Sequence, residues 1–259
     1  VIRHLNCASF APRLVGPMVA HVLLVERPEG LLLVDTGFGT ADVAHSVRLG
    51  RAFRAMMRPA LREQETALAQ VQALGYQADD VTDIVLTHLD LDHAGGVGDF
   101  PAATVHVYDA ELEAARHPRG MEHGRYLPVQ WQDARFATHH ADGGDDWHGF
   151  ESVTVLGDDV LMVPLAGHSR GHTLVAVRDP EVADGWQVHA GDAYFHRGDL
   201  TSPPTAPRVL RVVQRLLAQD DVVRRANQAR LRELVQADHP GLRIFSAHDP
   251  VELAAFTDA

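Results

Sequence analysis

The run Thr87-His88-Leu89-Asp90-Leu91-Asp92-His93-Ala94-Gly95-Gly96 restricts the fold of this chain more than any other stretch. Four side chains able to bind a cation, His88, Asp90, Asp92 and His93, stand directly behind residues 83–87, a short apolar stretch that reads as a buried strand. The glycine pair that follows lets the backbone turn sharply. In extended backbone, residues i, i+2 and i+4 share a face, while a turn can aim Asp92 and His93 at a neighbouring point. Two cations can therefore be served from six residues. Layered α/β proteins collect ligands at such places, where a strand gives way to a loop. The plainer alternative is a polar loop whose aspartates cap a following helix.

Four donors do not close two sites, because a cation of zinc's type takes about four ligands. Three further candidates each follow an apolar run: His168 in Ala166-Gly167-His168-Ser169-Arg170-Gly171-His172, Asp192 in His189-Ala190-Gly191-Asp192, and His248 in Ser246-Ala247-His248-Asp249-Pro250. Each alone reads equally well as an ordinary loop residue; together with the first segment they form a constellation. The chain holds 17 histidines, and histidine is the commonest metal ligand. His4, His21, His45, His117, His123, His139, His140 and His148 fall in no ligand spacing and are expected at the surface or in loops.

Residues 18–26 and 31–35 are apolar and β-branched around Arg27-Pro28-Glu29-Gly30, the pattern of a hairpin. Residues 61–74 carry apolar positions at helical spacing, with Gly75 as a stop. Strands are expected at 83–87, 104–108, 153–156, 160–164, 173–178, 186–189 and 242–246, and helices at 109–116, capped by Asp109, 207–218 and 222–237. Residues 118–150, rich in Gly, Asp, His and aromatics, read as a long loop over the site, and 201–207 as a Pro-rich connector. No repeat or shift of composition divides the chain, so residues 1–259 are expected to form a single domain. Mixed strands and helices around one core suggest an α/β layered sandwich of sheets flanked by helices.

The net charge of −12 argues against gripping phosphate backbones, so no nucleic-acid partner is expected. A single cysteine, Cys7, excludes an intrachain disulfide and suits a reducing cytoplasm. The longest apolar runs are too short to span a bilayer, and no membrane association is expected. The chain begins at Val1 without methionine, which leaves a removed N-terminal segment open.

From Asp35-Thr36-Gly37 to His248 these motifs resemble, in kind and order, those of the metallo-β-lactamase superfamily. The resemblance implies a four-layer αβ/βα sandwich in which a His-x-His-x-Asp-His segment, a later His, a bridging Asp and a final His hold two metals. Carried over by position, His88 and His168 would bind the first metal, Asp92, His93 and His248 the second, and Asp192 both. Asp35 would match an early structural aspartate that supports loop geometry. The departure is Asp90, which stands where the family pattern has its second histidine. If Asp90 binds, three carboxylates face two divalent cations and leave a single net positive charge. Zinc is the expected pair of ions, and harder oxygen ligation brings in iron or manganese and weakens the Lewis acid. Flavodiiron proteins also carry a carboxylate there, although this chain shows no flavin-binding domain.

The function these features imply is a dinuclear metal-dependent hydrolase in which a metal-bridging hydroxide attacks an ester-like carbon while one metal polarises the acceptor oxygen. Asp92 and Asp192 would serve that chemistry, and no nucleophilic side chain is needed. Cys7 has no histidine at a meaningful spacing, so a covalent mechanism is not expected. Tyr194 is a candidate donor to a developing oxyanion, or else a residue packed beneath the site. His172 either orients a ligand or is a core histidine satisfied by backbone. The substrate is a small molecule, with a lactone or related acyl compound favoured. Residues 118–150 and 195–207 are expected to line the pocket, with Met56, Met57, Tyr126 and Trp131 giving it apolar character or, equally, packing in the core. A diiron redox protein and a catalytically silent small-molecule binder are the alternatives from other classes.

Overall fold

The computed structural model describes residues 1–257, the side chain at position 121 aside. Its first sheet is built from β1 (Ile2–Phe10), β2 (Met18–Arg27), β3 (Gly30–Val34), β4 (Val81–Val85), β5 (Thr104–Tyr108) and β6 (Arg135–His139), in that spatial order. The second holds β7 (Asp145–Trp147), β8 (Phe150–Leu156), β9 (Val160–Pro164), β10 (Thr173–Arg178), β11 (Trp186–His189) and β12 (Leu242–Phe245), in the order β12-β11-β10-β9-β8-β7. Pairing is antiparallel from β1 to β3 and parallel from β3 to β6. In the second sheet only β11 and β12 run parallel. The helices are α1 (Thr40–Ala44), α2 (Arg51–Met57), α3 (Ala67–Ala73), α4 (Asp109–Arg116), α5 (Arg208–Leu217), α6 (Asp221–Gln236) and α7 (Pro250–Thr257).

Alternation along the strands generates the layers. Leu23 and Val25 of β2, Leu32 and Val34 of β3 and Val85 of β4 pack with Val160, Met162, Val175, Val177 and Phe245 of the second sheet. Their neighbours Val22, Leu24, Leu31, Leu33 and Ile84 point the other way, against Val71 of α3 and Leu112 and Ala115 of α4. On the far side, Leu174, Ala176 and Val188 meet Leu231 and Leu234 of α6. Helix, sheet, sheet and helix thus stack as the αβ/βα sandwich that the motifs imply. Central strands buried on both faces read as continuous Val and Leu runs, as expected of parallel neighbours. Each such fully buried side chain contributes roughly 1.5–3 kcal/mol of transfer free energy.

The helix expected over residues 61–74 is shorter. Leu61 adopts a positive φ of 50°, Glu63–Glu65 form a 3-10 turn, and the α-helix starts only after Thr66, whose hydroxyl accepts from the Ala69 amide at 3.2 Å. Glu65 is taken by β1, its carboxylate accepting from the Ser9 amide and hydroxyl at 2.9 and 2.8 Å. Residues 118–150 are not one loop, since β6 and β7 extend both sheets there. No helix among the described residues is long and apolar enough to cross a membrane.

What this frame does for function is set by strand direction. The ligand-bearing segments leave the carboxyl ends of β4, β9, β11 and β12, so His88, His168, Asp192 and His248 arrive from four strands of two sheets.

Candidate metal centre

At that junction His88, Asp90, His168 and Asp192 form one group whose ligand atoms lie within 4.8 Å of one another, and Asp92, His93 and His248 form a second. Asp192 touches both. Its Oδ2 is 3.7 Å from His88 Nε2 and 3.2 Å from His168 Nε2, and its Oδ1 is 3.3 Å from His93 Nε2 and 3.0 Å from His248 Nε2. Asp90 Oδ2 lies 3.0 Å from His168 Nε2 and 3.4 Å from His88 Nε2. All the sequence-derived ligand candidates therefore meet.

Their ring orientations follow from what sits behind them. His93 Nδ1 is 2.8 Å from Asp35 Oδ2, His248 Nδ1 is 2.7 Å from the Val19 carbonyl, and His88 Nδ1 is 3.0 Å from the Thr87 hydroxyl. Thr87 spends its own proton on Asp35 at 2.7 Å, so it accepts from His88. With each Nδ1 donating, each Nε2 presents a bare lone pair to the centre. His248 Nε2 and Asp192 Oδ1 are thus two acceptors aimed at each other, and His88 Nε2, His93 Nε2, Asp90 Oδ1 and Asp192 Oδ1 are buried without a hydrogen-bond partner. Buried acceptors facing one another are costly unless a cation lies between them. The donor set fits a pair of divalent metals.

The electrostatics show a pull toward positive charge at the same point: against burial, Asp192 and Asp35 raise His93 well above its ordinary range and Asp192 raises His248, a demand that a cation would satisfy. Burial works to raise the Asp192 carboxyl, but His248, His93 and His168 overturn it and hold it well below the usual carboxylate range. Burial lowers His88 and His168 to about 4, keeping both rings neutral. Asp92, buried with less compensation, is raised.

Asp35 sits behind the site rather than in it. Against burial, His93 draws its carboxyl down to about 2, and it anchors the Thr87 amide at 2.8 Å as well. His172 holds Asp192 through the backbone: its Nε2 accepts from the Asp192 amide at 2.9 Å while Nδ1 faces the Leu165 carbonyl at 3.2 Å.

Tyr194 is a correction. Its hydroxyl is buried against Glu252, at 3.1 and 3.3 Å, and does not reach the metal cluster. The next residue, Phe195, turns toward the centre instead, with its ring 5.2 Å from that of His248. Tyr126 and Trp131 likewise belong to the core behind the first sheet, whereas Met56 and Met57 do line the cavity above the cluster. That cavity, of about 350 Å³, has Asp90, Asp92, His168, Asp192 and His248 on its floor and mostly apolar walls from α2 and α5.

Two residues escaped the sequence reading. Glu111 of α4 is fully buried and accepts from the Leu89 amide at 3.0 Å, the Ser169 hydroxyl at 2.7 Å and the Gly171 amide at 3.0 Å. It ties the two ligand loops together, and only its place on the apolar side of a short helix hinted at burial. Arg125 reaches the floor of the cavity, with Nη1 3.1 Å from Asp90 Oδ2.

The sequence model described as the metallo-beta-lactamase superfamily matches residues 15–204, and the chain belongs to that superfamily. A protein of Mycobacterium tuberculosis named as a probable metallo-hydrolase is 43% identical over 253 residues, covering 96% of this chain and 80% of the relative. The N-acyl homoserine lactonase AttM of Azorhizobium caulinodans is 30% identical over 244 residues, covering 91% of this chain and 84% of its own length. Among solved structures, an N-acyl homoserine lactone hydrolase with N-hexanoyl-L-homoserine bound at its catalytic metal centre superposes with a TM-score of 0.75 at 20% identity, over 98% of this chain and 95% of that one. At that identity the superposition speaks for the fold.

Proposed function

We propose that this chain is a dinuclear metal-dependent hydrolase, zinc-loaded in its ordinary state, that opens a lactone or related acyl ester. The observation that carries the reading is the pair of facing acceptors at Asp192, where four imidazole nitrogens surround one carboxylate that spans both ligand groups. When bound, two divalent cations supply Lewis acidity at an acyl oxygen and a water acidic enough to attack near neutral pH. The imidazole-rich donor set favours zinc, and Asp90 adds a harder oxygen ligand.

The protein's own side chains do the rest. His88, Asp90 and His168 would hold one ion, Asp92, His93 and His248 the other, and Asp192 keeps the two groups in one frame. Phe53, Met56, Met57, Phe195 and Leu216 line the approach with apolar surface that suits an apolar acyl group. The lactonase named among the relatives supports that choice of substrate class. Cys7 is no competing nucleophile, because burial pushes its thiol far above the ordinary range.

The test is Asp192→Ala. Metal content should fall from about two ions per chain to below one, and hydrolysis of the best substrate in a lactone, thioester, phosphodiester and β-lactam panel should drop by at least about 10³-fold. Substantial turnover in that variant would remove the proposal. A diiron redox protein is the second reading, favoured by the hard donor Asp90; iron in the purified protein with an oxygen-dependent colour, and no hydrolysis across the panel, would select it.

A further inference from the structure

We infer that Arg125 is a positioning residue of the metal centre, whose guanidinium offsets the charge of Asp90 so that the centre binds its ions less tightly and activates them more. This rests on the dinuclear reading above and concerns a residue outside the ligand set.

Three contacts place Arg125 there. Its backbone neighbour Tyr126 forms an isolated antiparallel bridge with Asp90, which fixes the segment alongside the ligand loop. Glu122, buried three residues earlier, accepts from Arg170 at 2.8 and 3.0 Å, pinning the same segment to the loop that carries His168. Arg125 Nη2 donates to the Leu217 carbonyl at the end of α5. The side chain is 11% exposed, and Nη1 meets Asp90 Oδ2 at 3.1 Å. An imidazole gains or loses its charge with its surroundings, whereas the Arg125 guanidinium is a permanent positive charge in contact with a candidate ligand.

The consequence is electrostatic. Asp90, Asp92 and Asp192 bring three negative charges to the centre, and Arg125 cancels part of one. A more negative donor set holds divalent ions more firmly but leaves them weaker Lewis acids. At these separations even a Coulomb term screened by an effective dielectric of ~20 changes affinity by tenfold or more. Anchored through Nη2 at the Leu217 carbonyl, the guanidinium keeps its charge beside Asp90 as an ion pair.

The experiment measures metal release to a chelator from the zinc-loaded protein, alongside turnover, for wild type, R125Q, R125M and R125K, with circular dichroism to confirm folding. R125Q and R125M should release zinc about tenfold more slowly than wild type while kcat falls about tenfold, and R125K should restore both toward wild type. Faster release in R125Q, or unchanged release, overturns the inference, since a merely structural prop would loosen the centre when removed. R125M keeps the test open if R125Q does not fold. Fewer than about two zinc ions in the wild type would instead sink the dinuclear reading and this inference with it, a result distinguishable from a wrong sign in a fully loaded protein.

Discussion

A single turn of backbone decides what the residues after Asp192 can do. Ala193, Tyr194 and Phe195 follow Asp192 in a loop, and the side chain that faces the cavity is the apolar third one. Tyr194 is instead committed to Glu252, whose carboxyl burial has raised to about 7 and which also accepts from the Ser246 amide at 2.8 Å. Tyr194→Phe should therefore leave kcat within about twofold of wild type and lower stability by about 1 kcal/mol, the worth of one buried hydrogen bond, in urea denaturation at neutral pH. A tenfold loss of kcat with unchanged stability would put the hydroxyl back at the reaction. The candidate ligands were legible because His88, His168, Asp192 and His248 each follow an apolar strand, with Asp90, Asp92 and His93 crowded behind the first of them. Which way a loop side chain points depends on φ and ψ values that residue type does not dictate, and so the sequence left Tyr194 between a donor at the site and a packed residue, and Arg125 was passed over.

Elements were legible where the hydrophobic period was long. The two-sided runs of β2, β3, β4 and β10 and the helices α4, α5 and α6 stand close to where their patterns put them. β1, β6, β7, α1, α2 and α7 were missed, because sheet neighbours and packing rather than local preference hold such pieces in shape. The motif loops show what sequence patterns conceal. The Asp35-Thr36-Gly37-Phe38-Gly39 turn lies backbone to backbone on the Gly95-Gly96 pair, and a Cβ on Gly95 would come within 2.6 Å of both the Gly37 carbonyl and the Asp42 carboxylate. The glycines are thus a packing requirement between two loops, one carrying Asp35 and the other His93. Gly95→Ala should cost about 1–3 kcal/mol of stability by overpacking and, by moving His93 off Asp35, loosen the second ligand group. Thermal unfolding with metal content on the same sample checks it; wild-type values for both would mean the loops slide freely.

Because the ligands come from both sheets, the distance between the sheets is itself part of the site, and a buried polar seam holds it. Gln187 of β11 donates to Asp179 at 2.9 Å, so its Oε1 accepts from His4 Nε2 of β1 at 2.6 Å. That leaves His4 Nδ1 to accept from His21 Nε2 at 2.7 Å, while His189 Nε2 donates to the His21 carbonyl. His4 and His21, expected in loops or at the surface, are strand residues joining the two halves of the sandwich; alternation cannot tell an inward imidazole from an outward one until its partner is known. The seam works only with His4 neutral, since a proton on Nδ1 would set two donors against each other. Burial first of all, opposed by the Gln187 contact, lowers His4 from 6.5 to about 4. A group depressed on folding gives stability that is fully present above pH 6.5 and lost as pH falls through 4, because the unfolded chain takes up the proton first. A shift of that size corresponds to at most about 3 kcal/mol for a residue that keeps some solvent contact. His4→Gln removes the titration and should flatten the decline in unfolding free energy between pH 6.5 and 4 relative to wild type. His88 and His168 titrate in the same window in both proteins, so, with metal content matched, urea midpoints across that range isolate the seam. Parallel curves for the two chains would show that His4 is already protonated or already free of its partners.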